Sequence, residues 1–151
     1  MLKPVLVATA IAGTLDLIAA FVFAGAAGMA PAAVLRFVAS GPFGDAALTG
    51  SGGWMAVGVA VHYAIMAAMA ATFIAAARRM PVLVARPLVA GVAYGLLLWF
   101  IMYWIVRPLR WPAIGIPTDP QAIAGQWLCH LILVGIPIAL VAARALRSGR
   151  A

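Results

Sequence analysis

Trp54-Met55-Ala56-Val57-Gly58-Val59-Ala60-Val61-His62-Tyr63-Ala64-Ile65-Met66-Ala67-Ala68-Met69-Ala70-Ala71-Thr72-Phe73-Ile74-Ala75-Ala76-Ala77 runs for 24 residues without an Asp, Glu, Lys or Arg, and ends on Arg78-Arg79. As an α-helix it is about 36 Å long at 1.5 Å per residue. The hydrocarbon core of a bilayer is about 30 Å thick. In that core a helix satisfies its own backbone polar groups, which an open strand or loop cannot do. The stretch therefore predicts a transmembrane helix.

Working outward, three further apolar runs of spanning length appear, at residues 5–29, 87–106 and 121–143. The fold class expected is all-α: one polytopic transmembrane domain over 1–151, with four transmembrane helices. Composition agrees, since 67% of residues are hydrophobic and 9% are charged, against roughly 25% charged in soluble domains. Mean hydropathy is +1.14. The net charge of +7 does not point to nucleic acid, because the arginines sit at the ends of apolar runs and form no basic stripe. Anionic headgroups and membrane orientation account for them. The lone Cys129 lies inside an apolar run and reads as a small packing residue.

The first run, opened by Lys3-Pro4, resembles a signal peptide at its ends. Its 25 residues exceed the roughly 7–15 of a signal-peptide apolar region, so a retained span is expected. Between spans one and two, Pro31 opens a short helix predicted over 32–39, which Ser40-Gly41-Pro42 should stop. Eight residues, about 12 Å, are too few to cross, so this helix should lie at the interface. Gly41 to Gly53 reads as loop, with Ser51 capping the second span. The link from Arg78 to Arg86 predicts that spans two and three are antiparallel neighbours. From Arg107 to Pro120, four prolines predict an extended connection. Thr118 or Asp119 should cap the fourth helix, with Pro120 in its first turn.

Lys3, Arg78, Arg79, Arg86, Arg144, Arg147 and Arg150 fall on one side, and Arg36, Arg107 and Arg110 on the other. Seven against three predicts both termini in the cytoplasm. Trp54, Tyr103, Trp104, Trp111 and Trp127 gather on the opposite side, as an interfacial aromatic belt does.

The order Val34-Leu35-Arg36-Phe37-Val38-Ala39-Ser40-Gly41-Pro42-Phe43-Gly44, His62-Tyr63, Arg78-Arg79-Met80-Pro81, Gly91-Val92-Ala93-Tyr94-Gly95, Arg107-Pro108-Leu109, Cys129-His130-Leu131 and Gly135-Ile136-Pro137 resembles small bacterial inner-membrane proteins distantly similar to the YagU-like family. The resemblance covers roughly residues 30–145. It implies four helices in the inner membrane and no particular activity.

Four strongly polar side chains lie inside spans: Asp16, His62, Gln126 and His130. Such groups are expensive in lipid and point to function by default. His62 and His130 fall about 12 Å below the outer boundary, and Asp16 about 18 Å below it. His62 shares a helix face with Met55, Met66, Met69 and Phe73, opposite Ala60, Ala64, Ala68 and Ala71. Those small residues would let helices approach closely. Gln126 precedes His130 by one turn. Thr9, Gly13, Asp16 and Ala20 form one stripe on span one. A polar cluster between spans one, two and four is expected, with Asp16 either neutral or paired with a protonated His62 or a bound ion.

The blandest account is structural: interhelical hydrogen bonds that specify an assembled bundle. Alternatives are a proton-coupled or small-solute permeation unit, a b-type haem held by His62 and His130, and copper on the Met55, His62, Met66, Met69 face. No attachment or metal-site motif calls for a cofactor. Hydrolysis and nucleotide chemistry are disfavoured, because Ser40, Ser51 and Ser148 lack a nearby His and acid and no phosphate loop occurs. Arg36, Arg107 and Arg110 are candidate headgroup contacts at the outer face. The expected partners are the lipid bilayer and, because so small a bundle has little interior, a second copy or another membrane protein.

Overall fold

The computed structural model describes Leu2 to Ser148. Arg150, one of the positive charges counted above, lies outside the described residues. The described residues are mostly helical and contain no strand. Four helices are long and apolar enough to cross a membrane: α1 (Leu2–Ala26), α4 (Gly53–Arg79), a third over Pro87–Arg110 and a fourth over Pro120–Ser148. This is an all-α polytopic architecture. Below, the tryptophan end is the one carrying Trp54, Trp111 and Trp127, and the arginine end the one carrying Arg78 and Arg79.

The first helix stops three residues before the boundary expected from hydropathy. Gly28 takes φ +78°, a left-handed conformation that costs glycine little. Met29 N–H donates to Ala24 O and Gly28 N–H to Gly25 O, the paired bonds of a Schellman cap. Apolar residues thus continue past the point where backbone geometry ends the helix.

The short second helix is a larger correction. α2 covers Pro31–Phe43, not 32–39, and contains Pro42. Proline usually evicts its predecessor from α geometry by striking that residue's Cβ. Here the predecessor is Gly41, which has none. The helix ends instead at Gly44, φ +83°. α2 packs across the start of α4, where a Cβ at Gly58 would overlap the Leu35 carbonyl. α3 (Ala46–Thr49) interrupts the loop that follows. Ser51 contributes its carbonyl, not its hydroxyl, to the start of α4, accepting from Trp54 N–H at 3.2 Å.

Spans two and three are not the close neighbours their short link suggested. The link folds as α5 (Pro81–Ala85), tied down by Arg147 Nη2 donating to Val84 O at 2.6 Å. The fourth helix packs on both α4 and α6 (Pro87–Phe100), as well as on α1. Spans two and three meet through Tyr94, whose hydroxyl donates to Met69 O at 2.8 Å and whose ring lies 5.0 Å from that of Phe73.

The third helix continues through Arg107-Pro108-Leu109-Arg110, where an extended segment was expected. Ile101–Val106 is a π-helical segment, and α7 (Arg107–Arg110) follows. Arg107 N–H reaches back five residues to Met102 O. This widening moves the carbonyl that the Pro108 ring would strike. The fourth helix repeats the device. α8 (Pro120–Trp127) leads into a π segment over Leu128–Gly135, where Ile136 N–H donates to Leu131 O, and then α9 (Ile136–Ser148) carries Pro137. Asp119 caps α8 as expected, accepting from Ala122 N–H at 2.9 Å.

Toward the arginine end the interior is built from Ala8, Ala12, Ala70, Phe73, Ile74, Ala77, Ile138, Ala139, Ala142 and Ala143, all buried. The third and fourth helices touch backbone to backbone. A Cβ at Gly91 would lie 2.8 Å from Gly135 O, and one at Gly95 2.6 Å from Leu131 Cα. The alanine stripe of α4 opposite His62 behaves differently. Ala60, Ala64 and Ala68 face outward, so they do not mediate the packing within this chain.

Candidate functional site

The helix faces converge on a polar cluster between α1, α4 and the two π segments. His62 projects from α4 and is 7% exposed. Its Nε2 donates to Gly13 O at 2.8 Å. An α-helical carbonyl is normally screened by side chains, and Gly13 leaves it bare. A Cβ there would stand 2.9 Å from Tyr63 Cε1 and 3.3 Å from Met66 Cγ. The Tyr63 hydroxyl in turn lies 2.8 Å from Thr14 Oγ1. Gly13 is therefore the point where α1 and α4 close on each other, and His62 fastens it.

His130 sits in the π segment of the fourth helix. Its Nδ1 donates to Gln126 O, four residues back, at 3.0 Å. That bond leaves Nε2 as the acceptor nitrogen of a neutral ring. The ring meets Tyr103 edge-on, 5.5 Å between centroids. Tyr103 comes from the π segment of the third helix, so the two widened segments face each other through this pair. The Arg107 guanidinium lies over the other end of the arrangement, 5.7 Å from the Tyr103 centroid.

Asp16 is half-buried on α1. It lies within electrostatic reach of His62 and His130, and of Tyr103 and Cys129. Among the described residues no side chain or backbone N–H donates to its carboxylate. The structure thus brings Asp16, His62 and His130 into one neighbourhood, with one imidazole bonded to α1 and the other to its own helix. Thr9 continues the same stripe of α1 toward the arginine end, and its buried hydroxyl has no partner.

Gln126 does not join them through its side chain. Its Oε1 accepts from Trp99 Nε1 at 2.9 Å, and Trp99 is buried among Tyr103, Trp104 and Trp127. A tryptophan N–H in an apolar setting needs an acceptor, and Gln126 supplies it. Sequence reasoning placed Tyr103 in the interfacial belt and gave Trp99 no role. Spacing marks neither, because aromatic residues near a span end read as anchors.

The three arginines at the tryptophan end have different surroundings. Arg110 is engaged within the protein. Its Nε donates to Ser40 O at 2.9 Å and Gly41 O at 3.0 Å, and its Nη2 pairs with Asp45 at 2.8 Å. It thereby adds a second donor to the Ser40 carbonyl, which already accepts from Gly44 N–H, and supplies one to the Gly41 carbonyl in the last turn of α2. Asp45 is 78% exposed, so the carbonyl bonds matter more than the screened ion pair. Arg107 covers Tyr103. Arg36 is half-buried, with an Nε that has no partner.

Among the described residues, no three His, Cys, Asp or Glu side chains converge as a set of metal ligands. Met66 packs in the buried core, and Met69 lies against it. Compared with protein-family models, with curated proteins and with solved structures, the chain matches none.

Proposed function

We propose that this chain is a bacterial inner-membrane protein with both termini in the cytoplasm. We further propose that its four-helix bundle handles protons at Asp16, as the core of a proton-coupled or small-solute permeation unit. The observation carrying this is the Asp16 carboxylate: half-buried in a span, without a donor among the described residues, and within electrostatic reach of two imidazoles from other helices. A purely structural polar group would be bonded across helices. His62 is so bonded; Asp16 is not, and an unbonded carboxylate at that depth is costly.

The chemistry follows from the free atoms. His130 accepts a proton at Nε2 and becomes an imidazolium, still held by Gln126 O. The Asp16 carboxylate touches neither imidazole directly, so it exchanges that proton with His130, and then with the free Nδ1 of His62, through an intervening water. The Thr9 hydroxyl extends the polar stripe toward the arginine end. The resemblance to YagU-like proteins is, on this account, one of architecture.

A structural or assembly role is the second account, favoured by the His62–Gly13 and Trp99–Gln126 bonds. A haem iron between the histidines would require His62 to turn its Nε2 away from Gly13 O. Copper on the methionine face would require Met66 to leave the core.

Purified protein in liposomes, with a potassium diffusion potential and an internal pH dye, separates the accounts. Wild-type vesicles should take up protons faster than empty ones, and Asp16→Asn should fall to the empty-vesicle rate. Equal rates for wild type and empty vesicles, or unchanged flux in Asp16→Asn, would refute the proposal. Orientation has its own check. The native Cys129 is buried, so background labelling is small. A membrane-impermeant thiol reagent should label Ser51→Cys in intact cells and Val82→Cys only after permeabilisation; the reverse pattern would invert the topology.

A further inference from the structure

Three buried side-chain polar atoms among the described residues have no partner: Thr9 Oγ1, Arg36 Nε and Trp111 Nε1. Two of them are N–H donors, and they belong to the same clasp at the tryptophan end. Phe37, the residue after Arg36, stacks on Trp111 with centroids 4.3 Å apart and planes at 20°. Gly41, one turn further along α2, also faces Trp111, whose Cη2 lies 3.7 Å from the position of an added Cβ. Ser40, one turn after Arg36 on the same face, gives its carbonyl to Arg110. The Phe37–Gly41 side of α2 is therefore turned toward the end of the third helix, and Arg36 is the chain neighbour of the residue that stacks on Trp111.

The chemistry of the two orphan donors selects a ligand class. Guanidinium and indole N–H groups donate and do not accept. A buried donor without an acceptor is costly and usually marks a missing partner. Arg36 adds a full positive charge, and its planar fork matches the oxygens of a phosphate. Arg107 stands one turn before Trp111 and contributes a second positive charge to this end. The nearby acid, Asp45, is already paired with Arg110. We propose that Arg36 and Trp111 form a binding site for a phosphate oxyanion, with Arg36 supplying charge and Nε–H and Trp111 supplying Nε1–H. The site lies at the level of the tryptophan belt, where lipid phosphodiesters reside, so an anionic phospholipid headgroup and free phosphate are the two sources of that chemistry. The proposal does not depend on proton handling at Asp16.

Native mass spectrometry of the detergent-purified full chain, titrated with phosphatidylglycerol or phosphatidylcholine, tests it. A thermal-shift titration with inorganic phosphate runs alongside. One charge-assisted contact predicts that wild type prefers phosphatidylglycerol by about tenfold. Arg36→Gln should lose that preference. Trp111→Phe, which keeps the ring on Phe37 and removes the N–H, should reduce it. If the two lipids bind alike but phosphate raises the melting temperature in an Arg36-dependent way, the site stands and its ligand is the free anion. Wild type showing neither lipid preference nor phosphate stabilisation would overturn the proposal. So would a preference that survives both variants. Should Arg36→Gln fail to fold, wild type and Trp111→Phe still decide.

Discussion

The two halves of this molecule are packed in different ways. Toward the arginine end, buried alanines bring α1, α4 and α9 together, with Phe73, Ile74 and Ile138 filling the remaining space. Toward the tryptophan end, rings replace methyl groups. Trp99, Tyr103, Trp104 and Trp127 cluster around one another, two helices widen into π segments, and α2 is clasped by Arg110. The polar groups follow this division. His62 and His130 lie where helices are fastened by side-chain hydrogen bonds, and Thr9 is the lone buried polar side chain of the alanine half among the described residues. Without a hydrophobic drive between helices in lipid, association rests on close packing and on interhelical hydrogen bonds. The arginine half leans on close packing, with Tyr94 and Arg147 bonding across it, and the tryptophan half leans more on side-chain hydrogen bonds.

The largest effect should come from the glycine seam joining the third and fourth helices. Any side chain at Gly135 overlaps the Gly91 carbonyl, and overpacking of this kind costs about 3 kcal/mol, the upper end of its usual range. Gly135→Leu should strongly lower the melting temperature in detergent. Ala64→Leu, on the outward face of α4, should leave it unchanged; equal losses would erase the distinction between packed seam and lipid face. A smaller effect belongs to the tryptophan end. Gln126→Leu leaves Trp99 Nε1 without its acceptor and should cost about 0.6 kcal/mol, the average for interhelical bonds in membranes. Trp99→Phe combined with Gln126→Leu should recover part of that loss, because no donor is then orphaned. A double variant no more stable than the Gln126 single variant would show that the bond is not what fastens this half.

Much of the architecture was legible because hydropathy responds to a simple requirement, spanning length. The cluster members Asp16, His62 and His130 were legible for a related reason: ionisable side chains stand out in apolar runs. Helix boundaries were not. Apolar residues run past Ala26, and only the backbone at Gly28 ends α1. Pro42 and Pro108 read as stops, yet a glycine before one and a π segment before the other let both helices continue. Partner choice was hidden as well. Gln126 turned from the cluster to Trp99, and Arg110 from a headgroup to the carbonyls of α2. Both follow from unsatisfied donors or acceptors that appear only once the helices are placed.

Whether Asp16, His62 and His130 act as one electrostatic unit is answered most directly by the two histidines themselves, since the chain has no others. In protein labelled with ¹⁵N-histidine in bilayers, solid-state NMR should find the neutral form of His62 as the Nε2–H tautomer and that of His130 as the Nδ1–H tautomer. Those are the forms that donate to Gly13 O and Gln126 O. In Asp16→Asn, both ring signals should move, because each imidazole loses a carboxylate charge within electrostatic reach. Two histidine spectra unchanged by Asp16→Asn would contradict the account, leaving three separate polar residues in place of a proton-handling site.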